Sequence, residues 1–213
     1  MNGITFDYME EYLRNLIPEN QGLLGELEEY AKENRVPIAQ KETINFLRTM
    51  IAIKKPKRVL ELGTAIGYSA ITIAQTFPCE VTTVERNPEM VELAKKYIEE
   101  AKLQDKIKVE VGDCMDILEK LQEPFDLIFM DAGKGHYNHF LPHCLRLLNR
   151  DGIIIADNVL FRGMVANDQL VSKRKITIVK RMRKYLDIVS KDPNLYTSVI
   201  PMGDGIAVTT RRE

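Results

Sequence analysis

The sequence predicts an α/β fold: one seven-stranded, mostly parallel sheet with helices on both faces, N-terminal accessory helices and a C-terminal antiparallel hairpin. Three observations predict it. Between residues 58 and 157, short β-rich runs alternate with amphipathic stretches at the spacing of βαβ units, which implies parallel strands. The first of these runs, from Arg58, passes directly into a turn bounded by Gly63 and Gly67 that opens a helix. Further on, Asp204-Gly205 separates Tyr196–Pro201 from Ile206–Thr210, a hairpin signal that ends the sheet with an antiparallel pair.

Composition fits one such unit. A chain of 213 residues that is 45% hydrophobic and 29% charged buries one sizeable core, and no composition shift marks a second. We therefore expect a single domain over 1–213, with accessory helices in 1–55 and a Rossmann-like core in 56–213. Thirty bases against 31 acids leave a net charge of -1, which argues against a chain coated in basic surface and leaves room for a local patch. Such a patch is visible: residues 1–30 hold seven acids and the single base Arg14, whereas 162–184 hold eight bases and the single acid Asp168. Cys79, Cys114 and Cys144 lack paired spacing and read as reduced, buried thiols of a cytoplasmic protein. No apolar run approaches the ~20 residues of a membrane span, and no signal segment opens the chain.

Taken in order, the elements follow from periodicity and punctuation. Tyr8, Tyr12, Leu13 and Leu16 repeat at helical spacing, as do Leu23, Leu24, Leu27, Tyr30 and Ala31, with Pro18 between them. Val36 to Gln40 form a lip over a ligand site, and a helix over Lys41–Ile53 turns Ile44, Leu47 and Ile51 inward before Pro56. After the first strand and its helix, Tyr68–Phe77, come strand two (Val81–Glu85) and a helix capped by Asn87 and Pro88. Strand three is Ile107–Val111 and strand four Phe125–Met130. A helix around Phe140–Leu148 and a turn at Asn149–Gly152 then lead to strand five, Ile153–Ala156. A long helix, Ser172–Val189, precedes the hairpin, and its Ile176, Val179, Met182, Leu186 and Val189 should face the core. That makes six parallel strands and one reversed.

Ligands of open α/β sheets sit beyond the carboxyl ends of the strands, and here those ends are acidic: Glu85, Asp113, Asp131 and Asp157. So many carboxylates on one edge repel each other unless cations stand among them. The glycine turn itself reads E-x-G-x-x-x-G, with Glu61 where a dinucleotide site would meet phosphate. S-adenosylmethionine has no phosphate and carries a sulfonium and an ammonium, so Glu61 suits it better. Glu85 is placed to accept the ribose hydroxyls, and Asp113 with Cys114 to lie beside the adenine, a helix cap being the competing role for Asp113. Asp131, Asp157 and Asn158 supply hard oxygens suited to Mg2+, unless the last two merely cap the following loop. Lys134, between Gly133 and Gly135, is a candidate base beside that cation, the alternative being a surface lysine on a flexible loop. His136, His139 and His143 share a helix face and read as solvated.

With these residues in view, the chain resembles the cation-dependent class I O-methyltransferases of catechol and caffeoyl-CoA type, which use S-adenosylmethionine. ELGTAIGYSA is similar to the family's glycine motif, VERN to its ribose acid, and FMDAGKGHY to its first metal ligand and catalytic lysine. ADNV corresponds to the remaining metal ligands and PMGDGIAV to the closing hairpin, so the resemblance spans nearly the whole chain. It implies Asp131, Asp157 and Asn158 on Mg2+ and Lys134 as base. It further implies cofactor contacts from Ile38, Gly63, Tyr68, Ser69, Glu85, Asp113, Cys114 and Asp131, while Ala65 stands where the animal enzymes carry an aromatic residue. A homodimer is common in the family, and the acidic, Tyr- and Leu-bearing N-terminal helices are candidates to cover a partner's site.

Within the family, DNVLFRGMVAND followed by a basic helix is similar to bacterial enzymes that methylate 5-hydroxyuridine at the tRNA wobble position. Lys173, Lys180 and Lys184, flanked by Arg174 and Arg181, would form a stripe for the phosphate backbone. The expected reaction is therefore conversion of 5-hydroxyuridine to 5-methoxyuridine in tRNA. The alternatives are a small-molecule catechol or caffeoyl-CoA-type methyltransferase and, in a different class, a non-catalytic sensor of S-adenosylmethionine. A solvated helix face is the competing explanation of the basic stripe.

Overall fold

The structure, a computed structural model, describes residues 4–212. Among them α1 (Asp7–Asn15), α2 (Leu23–Asn34) and α3 (Lys41–Lys54) precede a regular alternation. That alternation runs β1 (Arg58–Leu62), α4 (Tyr68–Thr76), β2 (Glu80–Glu85), α5 (Pro88–Glu100), β3 (Ile107–Val111), α6 (Cys114–Lys120) and β4 (Phe125–Met130). It continues through α7 (Tyr137–Leu147), β5 (Leu148–Ala156), α8 (Ile176–Lys191), β6 (Leu195–Ile200) and β7 (Ile206–Arg211).

The seven strands form one sheet in the order β3-β2-β1-β4-β5-β7-β6. β1 to β5 pair in parallel, and β7 runs antiparallel to both β5 and β6, so six strands share a direction and one is reversed, as expected. Strand order reverses between β1 and β4, and this switch point opens the crevice in which ligands of such sheets bind.

Period-2 alternation divides the strands between two cores. Val59, Leu127 and Phe129 face α3, α4 and α5, where Ile44, Leu47, Ile71 and Ala94 are buried. Leu60, Leu62, Ile128 and Met130 face α6, α7 and α8, against Leu118, Leu141, Met182 and Tyr185. Each fully buried aliphatic side chain contributes roughly 1.5–3 kcal/mol, so the central strands are held from both faces. Glu61 shares its strand face with Val59, and alternation alone therefore drives its carboxyl into the interior.

Local rules set most boundaries. Asn87 caps α5 by accepting from Glu89 N at 3.0 Å with Pro88 in the first turn, and α3 stops at Lys55 in the left-handed region just before Pro56. Two expectations are corrected, and one helix is added. The last long helix starts at Ile176, because Lys173–Lys175 form a separate 3-10 turn; Ile176 is consequently 41% exposed rather than in the core, and Tyr185 is buried in its stead. Residues Asn149–Gly152 belong to β5, whose register against β4 shifts between Phe125 and Leu127 and absorbs the expected turn. A seven-residue helix, α6, begins directly after Asp113. The apolar side chains of α1 meet no core: Tyr8, Tyr12, Leu13 and Leu16 are exposed. No helix among the described residues is long and apolar enough to cross a membrane.

Candidate active site

A cavity of about 810 Å3 opens at the carboxyl ends of β1, β4 and β5, on the switch point. Its floor is the glycine turn after β1. Gly63 N donates to Val84 O (3.1 Å) and Gly67 N to Thr64 O (2.8 Å), which folds the chain back on itself. Gly63 has φ +105°, and a Cβ there would stand 2.8 Å from Ala132 Cβ, so only glycine fits between the turn and the segment after β4.

Beneath this turn a hydroxyl relay reaches Glu61. Thr64 Oγ1 lies 2.6 Å from Thr83 Oγ1, which donates to Glu61 Oε2 at 2.5 Å. The Glu61 side chain is fully buried and its Oε1 has no hydrogen-bond partner. Burial is the main cause that pushes its pKa up to about 7; the Glu85 charge adds to the rise, while the Ser69 and Thr83 hydroxyls oppose it. Unlike Gly63, Tyr68 and Ser69, Glu61 lies beneath the turn and outside the cavity lining, so it can act on a ligand only through its charge.

Glu85 lines the same cavity, held by backbone. Its Oε2 accepts from Ala65 N (3.0 Å), and its Oε1 accepts from Arg86 N (3.0 Å) and Asn87 N (2.9 Å). A carboxylate offers about four acceptor positions, so some capacity for a ligand hydroxyl is left. Ala65 adopts φ 44°, placing its N–H on Glu85 with only a methyl group at the turn.

The acidic centre lies where β4 and β5 end side by side. Met130 and Ala156 are partners in the sheet, so Asp131 and Asp157 emerge together; Asp131 N donates to Leu62 O and Asp157 N to Met130 O. The buried Tyr137 hydroxyl bridges Met130 O (2.8 Å) and Asp157 O (3.1 Å), fixing one strand end against the other. Asp157 is 1% exposed; its Oδ1 accepts from Asn158 N at 2.6 Å and its Oδ2 has no partner. Thr43 faces this group and favours its charged form, although the Thr43 hydroxyl falls short of a formed hydrogen bond.

Burial, first, raises Asp157 to about 6, and burial followed by the Asp157 charge raises Asp131 well above the carboxylate range. Lys134 opposes the rise at both. Two adjacent carboxyls, Asp157 buried with an orphaned oxygen and Asp131 half-buried on the cavity wall, form a set that a hard cation would satisfy. Asn158, in the left-handed region at φ 58°, adds an amide beside them. Among the described residues no group of three or more His, Cys, Asp or Glu is arranged for a metal; the two carboxylates of Asp131 and Asp157 with the Asn158 amide are hard oxygen donors of the kind Mg2+ takes. Lys134 lines the cavity from the 3-10 turn Lys134–His136, which Arg181 braces by donating to Gly135 O at 3.2 Å.

Of the residues singled out in the sequence, Ile38, Gly63, Ser69, Glu85, Asp131, Lys134, Asp157 and Asn158 line this one cavity. Tyr68 lines it too, but its hydroxyl turns away, donating to Glu28 and accepting from Asn20 Nδ2 at 3.1 Å. Asp113 caps α6 through Met115 N (2.9 Å) and pairs with Arg86, outside the cavity lining. Cys114 also lies outside it, its thiol pushed up to about 12 chiefly by burial. Lys173, Arg174, Lys180 and Lys184 are exposed on and before α8, away from the lining, and Arg181 is half-buried.

Five further residues of the lining carry no signal of their role in the sequence motifs: Arg14, Phe161, Arg162, Lys175 and Asp204. Asp204 accepts from Arg162 N, and Leu160 N donates to Asp204 O at 2.9 Å, so the loop after β5 rests on the β6–β7 turn. A Cβ at Gly205, φ +88°, would collide with Leu160. One signal was available: Arg14 is the sole base of the acidic first thirty residues.

Comparison with known proteins finds relatives of similar sequence and fold. The model of the O-methyltransferase family matches residues 16–212. A catechol O-methyltransferase of Niastella koreensis is 32% identical over 176 residues, covering 79% of this chain and 80% of that one. A caffeoyl-CoA O-methyltransferase of Populus kitakamiensis is 30% identical, over 78% of this chain and 74% of its own. Among solved structures, a Staphylococcus aureus protein assigned provisionally as a caffeoyl-CoA O-methyltransferase superposes with a TM-score of 0.89 at 30% identity, covering 97% of this chain and 100% of that one. The Podospora anserina methyltransferase PaMTH1, solved with S-adenosylhomocysteine, shares the fold at a TM-score of 0.88 and 24% identity, over 97% and 95% of the two chains.

Proposed function

Because this chain belongs to the O-methyltransferase family, whose members take their methyl group from S-adenosylmethionine, we propose that its acceptor is a hydroxyl flanked by a second oxygen, as in a catechol-type small molecule. The observation that carries the reading is the adjacent carboxyl pair, Asp131 and the buried Asp157, beside Lys134 in the cavity that also contains the glycine turn. Membership of an enzyme family sets aside the sensor reading.

In the proposed reaction the acceptor oxygen attacks the sulfonium methyl in line, a C–O bond forms, and the S–CH3 electron pair returns to sulfur. Glu61, buried under the turn, acts on the positive end of the cofactor only through its charge, and the Glu85 carboxylate, preset by three N–H donors, takes the ribose hydroxyls. Asp131, Asp157 and Asn158 would hold Mg2+, which when bound lowers the pKa of a chelated hydroxyl and orients it. Lys134 receives the acceptor's proton. Tyr137 keeps the two aspartates in mutual register by bridging the strand ends.

A second reading keeps the same chemistry on 5-hydroxyuridine in tRNA, whose O4 and O5 also form a vicinal pair. It is favoured by the run Lys173-Arg174-Lys175, in which Lys175 reaches the cavity wall while its neighbours and Lys180 and Lys184 remain exposed. The exposed Phe6, Tyr8, Tyr12 and Leu16 of the α1 region support a homodimer, which light scattering would measure. The deciding experiment offers labelled cofactor and Mg2+ with catechols and, separately, with tRNA bearing 5-hydroxyuridine. We expect transfer to the catechols; transfer to tRNA alone decides for the second reading, and transfer to neither overturns both.

A further inference from the structure

α1 contributes one residue, Arg14, to the wall of the cavity, although no residue of this helix is buried. Arg14 Nε donates to Glu42 Oε1 at 2.6 Å, and Glu42 is 4% exposed. Its second oxygen, Oε2, has no hydrogen-bond partner. The residues around Glu42 belong to the acceptor end of the site: Gln40 lines the cavity and Thr43 faces Asp157.

A carboxylate buried with one oxygen orphaned is a poor device for stability, since desolvation offsets the attraction of the pair. It is a good device for orientation. The Nε contact leaves the four N–H donors of Nη1 and Nη2, and no hydrogen bond engages them among the described residues. Two more cations line the same cavity from separate elements. Arg162 is seated by its backbone N–H on Asp204, and Lys175 Nζ stands 5.6 Å from the centroid of the Phe161 ring. Cations drawn from α1, the loop after β5 and the turn before α8 therefore line the same cavity as the acidic centre.

We propose that Arg14, oriented by the buried Glu42, is a specificity residue that binds an anionic oxygen group, carboxylate or phosphate, carried by the acceptor beside its reacting hydroxyl. This rests on the acceptor reading above and adds to it a charge requirement and a residue that imposes it. Arg14 touches the acceptor; Glu42 acts through Arg14 and is a positioning residue.

The test is calorimetric binding to the full chain saturated with S-adenosylhomocysteine and Mg2+, using two matched pairs: catechol with 3,4-dihydroxybenzoate, and 5-hydroxyuridine with its 5′-monophosphate. In at least one pair the wild type should bind the charged member about tenfold more tightly, the ratio one charge-assisted hydrogen bond supplies. Which pair shows the preference separates a small carboxylate from a nucleotide phosphate. Arg14→Gln and Glu42→Gln should bring the ratio to near one, the charged member losing about tenfold more affinity than the neutral one. Arg14→Gln lies on an exposed helix and serves alone if Glu42→Gln does not fold, with cofactor-product affinity as the control. A wild-type ratio near one in both pairs, a preference that survives both variants, equal weakening of both members, or binding of neither pair overturns the proposal. Failure of the acceptor reading looks different: the charge preference is present, yet no member is methylated when S-adenosylmethionine replaces the product.

Discussion

Replacing Glu61 by Gln should stabilise the cofactor-free protein progressively as pH rises from acid to neutral. The carboxyl is fully buried and its pKa is raised from 4.5 to about 7, chiefly by desolvation. Below pH 4.5 both folded and unfolded chains carry the proton, so the group contributes no pH dependence. Between the two pKa values the unfolded chain releases its proton while the folded chain keeps it, and stability falls as pH rises. Above about pH 7 the loss is complete. At about 1.4 kcal/mol per pKa unit, the shift amounts to roughly 3 kcal/mol. Gln cannot ionise but still accepts from Thr83, so the variant lacks this term. Denaturant unfolding of both proteins at pH 4.5 and pH 8, without cofactor, isolates it. The stability difference between variant and wild type should grow by about 3 kcal/mol in favour of the variant across that range, and a difference independent of pH would refute the reasoning.

Other perturbations separate the parts of the site. Gly63→Ala forces a Cβ to 2.8 Å from Ala132 Cβ at φ +105° and should cost about 2 kcal/mol or more in denaturant unfolding, with loss of cofactor binding. Glu85→Ala removes the acceptor of three backbone N–H groups as well as the ribose contact, so it should weaken cofactor affinity and lower stability by about 1–3 kcal/mol; calorimetry and unfolding on the same sample check it. Tyr137→Phe leaves Met130 O and Asp157 O without their hydroxyl and should cost about 1–2 kcal/mol in stability while lowering turnover more than cofactor affinity.

What the sequence made legible was what local rules determine. β3 and β4 begin and end where apolar runs meet Gly112 and Asp131, and the cap on α5 was readable from Asn87-Pro88 because the partner N–H is two residues away. The acids at the strand ends followed from sheet geometry, which brings every parallel strand's carboxyl end to one edge. The acceptor wall did not follow, because Arg162 and Asp204 are 42 residues apart and Arg14 and Glu42 are 28 apart, joined only by tertiary packing. Side-chain direction was equally hidden: no periodicity reveals that the Tyr68 hydroxyl leaves the cavity for Glu28. The α6 segment, CMDILEK, is too short for a helical period to register, so Asp113 remained divided between cap and ligand until its contact with Met115 N was seen.

The site's defining property is a pair of adjacent carboxyls, Asp157 buried and Asp131 half-buried, whose charged forms desolvation disfavours. Methyl transfer from labelled S-adenosylmethionine, offered catechols and 5-hydroxyuridine tRNA, is therefore to be measured after exhaustive chelation, after return of Mg2+, and in Asp157→Ala. Activity should vanish on chelation, return with Mg2+ and be absent from the variant while the variant's cofactor affinity is retained. Undiminished turnover in excess chelator, or in Asp157→Ala, would contradict the assignment of this centre.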